Sequence, residues 1–234
     1  MGHHIAPTKN AAAPTLRVWD LPTRVFHWAL VIGVVAMVVT GNLEDDAALG
    51  WHFQIGYVIA SLLLFRLVWG IFGGYWSRFG NFRWSLAPLG AQTGNAAEAA
   101  HPLGHSRTGS WAVVGLLGAV ALQVTTGLFS DDDISMSGPF SHWVDSALVS
   151  TLTWVHKDVS KVVLIVLVAL HIGAIAYYAF RRRQNLVPAM LHGDVPVRDG
   201  GVSSEDRAKN RLSALIIWLF CYGLIRGVVV YAGG

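Results

Sequence analysis

Five stretches of the chain are apolar almost without interruption, roughly residues 25–41, 52–72, 111–129, 159–180 and 212–232. A hydrocarbon core about 30 Å thick is crossed by about 20 apolar residues in an α-helix, so each stretch predicts a transmembrane helix. The first is short alone and gains length from Leu21 to Phe26. All five are too long and continuous for the alternating strands of a membrane barrel. The segments between them alternate in charge. Residues 42–51 hold Glu44, Asp45 and Asp46, and residues 130–155 hold Asp131, Asp132, Asp133 and Asp145, with neither Lys nor Arg before Val155. The opposite side holds Lys9, Arg17 and Arg24, then Arg78, Arg83 and Arg107, then Arg181, Arg182 and Arg183 and on to Arg211. The positive-inside rule therefore predicts a cytoplasmic N-terminus, and five crossings put the C-terminus outside. Within the second acidic segment Val144, Leu148 and Leu152 recur at helical spacing, which predicts a short helix lying on the outer surface.

Composition agrees with this pattern. Only 13% of the 234 residues are charged, about half the share in a soluble domain, and mean hydropathy is +0.48. The pI of 9.2 does not indicate nucleic-acid binding, because the basic residues follow the topology and form no single patch with interleaved aromatics. Cys221 is the one cysteine, which excludes a disulfide framework, a C-x-x-C-H haem attachment and a self-contained cysteine-ligated iron–sulfur cluster. Residues 1–23 contain no continuous apolar run, so no cleavable signal peptide is expected, and the opening MGHH is too short for an affinity tag. The expected organisation is a cytoplasmic tail over 1–20, a four-helix unit over 21–190, a cytoplasmic linker over 191–211 and a fifth helix over 212–234.

Histidine changes the picture, since the chain has ten. His3, His4, His101, His105, His142 and His192 fall in tails or loops, where a solvated ring is expected. His27, His52, His156 and His171 fall in spans or at their edges. Singly, the boundary residues His27, His52 and His156 read equally as snorkelling side chains. His171 does not, because it lies about 15 Å of helix rise from Arg181, at a depth where an ionisable group points to function. Together the four occupy two depths, with His27 and His171 toward the inside and His52 and His156 outside. His156 and His171 are separated by about 22 Å of rise and about 60° of rotation, so both can face one bundle interior. Two bis-histidine haems stacked across the bilayer satisfy all four positions, and neutral imidazole binds iron without burying a charge. A zinc site would cluster its ligands, and the absence of acidic residues inside the apolar cores argues against a proton relay.

Arg66 lies about 21 Å further in than His52 and within about 40° of the same face. A buried arginine needs an anion; the spans supply none, and a haem propionate would serve. Gly33, Gly56 and Gly173 leave room for a flat macrocycle or for a close helix neighbour. Arg226, near the outer end of the fifth helix, is expected to snorkel. Two exits repeat a theme, VVTGNLEDD at 38–46 and TTGLFSDDD at 125–133, which reads as a shared exit requirement.

RVFHW (24–28), the His52, Gly56, Arg66 and WG pattern over 52–70, GHSRTG (104–109), TTG (125–127) and the histidines of 156–171 together resemble the bacterial di-haem cytochrome b561 family. This family includes the b-type cytochrome subunits of nickel–iron hydrogenases, and the resemblance runs from about Leu16 to Pro188. It implies an all-α integral membrane protein, a four-helix transmembrane bundle holding two haems b, here followed by a fifth transmembrane helix. It also implies that His27 pairs with His171 on the inner haem and His52 with His156 on the outer one. The implied activity is electron transfer between quinone and a partner redox protein, a periplasmic cytochrome c or a dehydrogenase or hydrogenase, at the bacterial inner membrane. The chain is then a quinone oxidoreductase or the membrane subunit of one, with no catalytic side chain assigned. The family's fourth-helix histidines are usually fourteen residues apart, whereas here the interval is fifteen, so a local bulge or a shifted ring is expected. The acidic outer segments suit a basic electron carrier, although topology alone also accounts for their charge. A non-redox membrane protein, such as a histidine-bearing transporter or an assembly subunit, is the alternative, and an optical spectrum separates the two.

Overall fold

The computed structural model describes residues 14–43, 45–84, 103–132, 136–197 and 200–233, so His3, His4 and His101 lie outside the described residues. Five helices are long and apolar enough to cross a membrane. They are α1 (Leu21–Thr40), α2 (Asp46–Phe72), α3 (Arg107–Leu128), α4 (Ser146–Arg181) and α6 (Ala208–Tyr231), with a short α5 (Val187–His192) before the last. Their starts lie outside the apolar runs because capping side chains set them. Asp20 accepts from the Thr23 amide, Asp45 from Ala48 and Ser106 from Gly109, each satisfying a first-turn N–H that the helix leaves unpaired.

Half of the span of α2 is buried, against 11% for α1 and α4 and 17% for α3 and α6, so α2 is the centre and the other helices face lipid. α1 and α6 flank α2, and α3 packs on α4. One apolar cluster joins Phe26, Leu62, Phe65 and Trp69 to Ala214 and Cys221 of α6. Cys221 is thus a small core side chain of the fifth helix. A second cluster, Ile59, Ala119, Val120 and Leu164 with Val34, Leu63 and Leu167 around them, fills the middle of the α1–α4 bundle.

α4 corrects one expectation and accounts for another. The helix over Ser146–Trp154 is no separate surface helix; it runs on through a π-helical turn at Val155–Ser160 into Lys161–Arg181. A helix of 36 residues is about 54 Å long, far more than the hydrocarbon needs, so its first turns extend beyond the core. The π turn contains His156 and is a bulge of the kind that the fifteen-residue interval called for. Gln123 of α3 braces it, its amide donating to the His156 carbonyl at 3.2 Å while the Ser160 hydroxyl donates to its side-chain oxygen.

At the basic end, β1 (Thr15–Arg17) and β2 (Asp194–Pro196) form an antiparallel pair, the one departure from helix among the named elements. Gly193 turns the chain into β2 with φ of +90°, and a Cβ there would stand 2.4 Å from the Trp19 carbonyl. Asp206 ties these segments to α1 and α6 by accepting from Arg17, Arg211 and the Leu21 amide, with Arg24 3.7 Å away. Burial pushes its carboxyl up, but the bonds from Arg211, Leu21 and Arg17 outweigh that and hold it below the usual carboxylate range.

Candidate functional site

The acidic end brings two of the four histidines together. His52 of α2 and His156 in the π turn of α4 face each other with ring centroids 6.2 Å apart and planes crossed at 88°. An imidazole nitrogen about 2 Å from a metal and about 1.1 Å from its own ring centre would put two axial rings about 6 Å apart. The observed spacing fits two rings that could share one metal.

Each ring is seated from behind. Thr40 Oγ1 is 3.1 Å from His52 Nδ1. His156 Nδ1 donates to the Gln123 carbonyl at 2.9 Å, with Thr126 Oγ1 at 3.4 Å. An Nδ1–H tautomer leaves Nε2 as the lone-pair nitrogen, the one available to a metal. The Gln123 amide nitrogen is 3.4 Å from His156 Nε2, long for a hydrogen bond.

At the other depth, His27 and His171 are close enough for charge on one to act on the other. His27 Nδ1 is buried without a hydrogen-bond partner, an orphaned polar atom of the kind that a ligand satisfies. Its ring meets Trp28 edge-on at 5.1 Å. The start of α1 is fixed by α5, whose Met190 and Leu191 carbonyls accept from Trp28 Nε1 and Arg24 Nη1. The apolar cluster around Ile59 and Leu164 separates the two depths.

The small residues divide by role. A Cβ on Gly33 would meet Ile59 at 3.1 Å, so Gly33 lets α1 and α2 approach. Gly56, one turn after His52, would meet only the Met37 methyl at 3.6 Å, and Gly173 nothing within 4 Å. Gly56 leaves open space on the His52 face of α2, whereas Gly173, two residues after His171, is exposed on another face of α4.

Arg66 is buried but turned away from this space. Nη1 donates to the Ser77 carbonyl at 3.0 Å and the guanidinium lies 4.5 Å over the Phe79 ring. The charge of Asp20, fully buried just before α1, acts on it. Asp20 accepts from the amides of Thr23 and Gly74, the indole of Trp69 and the hydroxyl of Ser77. A carboxylate of the chain thus lies near Arg66, one residue before α1. His105, expected to be solvated, is instead wedged between Trp19 at 4.7 Å and Phe82 at 4.5 Å, with Nδ1 enclosed and unpaired. Burial and the nearby Arg66 charge lower its pKa to about 4. Arg226 does not simply snorkel: it donates to Gln54 Oε1 at 3.1 Å and lies over Tyr57, fastening α6 to α2.

Residues 18–193 match the family model described as prokaryotic cytochrome b561. The chain belongs to that family. The matched region holds α1 to α4 and all four candidate histidines, and it makes the chain a membrane b-type cytochrome of electron transfer. The chain is also similar to a protein of Bradyrhizobium diazoefficiens described as a probable Ni/Fe-hydrogenase B-type cytochrome subunit. The two are 26% identical over 228 residues, covering 80% of this chain and 88% of the relative. No solved structure matches the chain.

Proposed function

We propose that the chain holds two haems b, one between His27 and His171 and one between His52 and His156. Through them it moves electrons between the quinone pool and a partner redox protein. The basic end lies in the cytoplasm of a bacterium and the acidic end and C-terminus lie in the periplasm. The single observation that carries this reading is the 6.2 Å spacing of the His52 and His156 rings, with Nδ1 of each already committed. When bound, haem supplies an iron that alternates between ferrous and ferric states at near-constant geometry.

The protein's part is to bind, orient and insulate. His27 with His171, and His52 with His156, would hold the haems and would leave no place on the iron for other ligands. Gly56 keeps the space beside His52 free of side chain. The Ile59–Leu164 cluster keeps water from the region between the two sites. A hydrogenase as partner is supported by the name of the Bradyrhizobium relative. Asp131, Asp132 and Asp145 at the acidic end also suit a basic periplasmic cytochrome c.

Dithionite-reduced minus oxidised spectra of the purified protein should show b-type bands at two haems per chain. His171→Ala should lose the inner haem and keep the outer one. A protein without haem bands removes the redox reading, and a His171→Ala variant that keeps both haems removes the pairing.

A further inference from the structure

The two ends of helix that face His52 and His156 are built from the same parts in the same order. In α1 the Thr40 hydroxyl donates to the Ala36 carbonyl at 2.8 Å, one turn back. In α3 the Thr126 hydroxyl donates to the Leu122 carbonyl at the same 2.8 Å. With its hydrogen spent in that way, each hydroxyl offers the facing imidazole only a lone pair. At the second end the Gln123 carbonyl, three residues before Thr126, accepts from His156 Nδ1 at 2.9 Å, with Thr126 Oγ1 further off at 3.4 Å. The residue after each threonine is glycine. A Cβ on Gly41 would stand 2.9 Å from His52 Cε1, and one on Gly127 would stand 2.8 Å from His156 Cε1. Two helix ends thus each present an acceptor to Nδ1 and a side-chain-free floor to the ring edge. The shared Thr-Gly of the two exits is this cradle, built twice.

We infer that Thr40 and Thr126 are positioning residues: the two Thr-Gly cradles fix His52 and His156 as Nδ1–H tautomers with crossed rings, before and after metal binding. The inference rests on the outer haem site proposed above and adds to it the origin of ring orientation and ligand strength. A hydrogen bond at the distal nitrogen makes the coordinating nitrogen a stronger donor and stabilises the ferric state. Ring orientation has its own signature. Each imidazole π orbital mixes with the iron d orbital perpendicular to its plane. Parallel rings raise one such orbital, whereas rings crossed at 88° raise two nearly equally. Two near-degenerate orbitals give a ferric low-spin signal of high anisotropy, with a large maximal g value.

The test compares the whole protein with Thr40→Val and Thr126→Val, which keep shape but lose the acceptor, and with Thr40→Ser and Thr126→Ser, which restore it. Electron paramagnetic resonance of the oxidised protein should show a high-anisotropy signal that His171→Ala retains, which assigns it to the outer site. Thr40→Val should lower the maximal g of that signal and raise the outer midpoint potential. Thr126→Val should do so to a lesser degree, because the Gln123 carbonyl still accepts from His156 Nδ1 at 2.9 Å. Each serine variant should return both toward the parent values. Gly41→Ala and Gly127→Ala should lose the outer haem while keeping the inner one. Outer signal and potential unchanged in both valine variants overturn the inference, with the haem sites themselves still standing. Loss of the outer haem in a valine variant supports it if serine restores the haem and overturns it if serine does not. A parent protein with no haem fails the earlier reading instead.

Discussion

His105 shows how far a single residue's surroundings can depart from its neighbours in sequence. It stands in a polar stretch, GHSRTG, yet Trp19, Phe82 and the Arg66 charge enclose it from elements far along the chain. Its pKa falls from the ordinary 6.5 to about 4, so the folded state binds a proton less readily than the unfolded chain. The contribution of this group to stability is complete above pH 6.5 and is lost as pH falls toward 4. His105→Phe removes the group and its unpaired Nδ1 while keeping an aromatic ring. Thermal unfolding in detergent should therefore fall less steeply between pH 6.5 and 4 in the variant than in the parent. Equal slopes would show that the ring titrates normally. Asp20 carries a related lesson: a search within the spans for negative charge near Arg66 misses a carboxylate that the cap of α1 buries just outside them.

Among the elements, the π turn has the most direct consequence. It lodges one extra residue in α4, so that His156 is presented as though the interval to His171 were a residue shorter. Deleting exposed Asp158 should close the turn into ordinary α-helix and leave the outer haem in place. Deleting Val166, in a regular stretch of helix, should swing His156 by about 100° and abolish outer haem binding. Visible spectra of the two purified deletions distinguish these outcomes, and outer haem loss in the Asp158 deletion would count against the bulge as compensation. The five spans were legible because long apolar runs have one solution in a bilayer. Their ends were not, since Asp45 and Ser106 cap from outside the runs. The helix over Ser146–Trp154 looked separate because polar His156, Lys157 and Asp158 interrupt the apolar pattern, and a π turn crosses that interruption. The paired Thr-Gly exits were visible as a repeat, but their role required seeing a histidine against each.

At the scale of the molecule, α2 holds the bundle together, with α1 on one side and α6 on the other. Cys221 packs into that contact and Arg226 pins its acidic end to Gln54, so the fifth helix is part of the fold and no loose anchor. The basic segments converge on Asp206 at one end, while Asp45, Asp131 and Asp145 mark the other. Alkaline phosphatase fused after Gly233 should be active and a fluorescent protein at the same place dark, as an outside C-terminus requires. The opposite pair of results would invert the topology.

The apolar layer of Ile59, Ala119, Val120 and Leu164 has an electrical meaning as well. Water and ions do not enter it, so most of the voltage across a membrane falls over the depth it occupies. His171 and His156 stand about 22 Å apart along α4, roughly three quarters of a hydrocarbon core about 30 Å thick. Moving one unit charge between those depths is worth about 1.7 kcal/mol at a potential of about 100 mV. A cell's membrane voltage would thus push or hold back each electron that passes between the two histidine pairs, according to its direction.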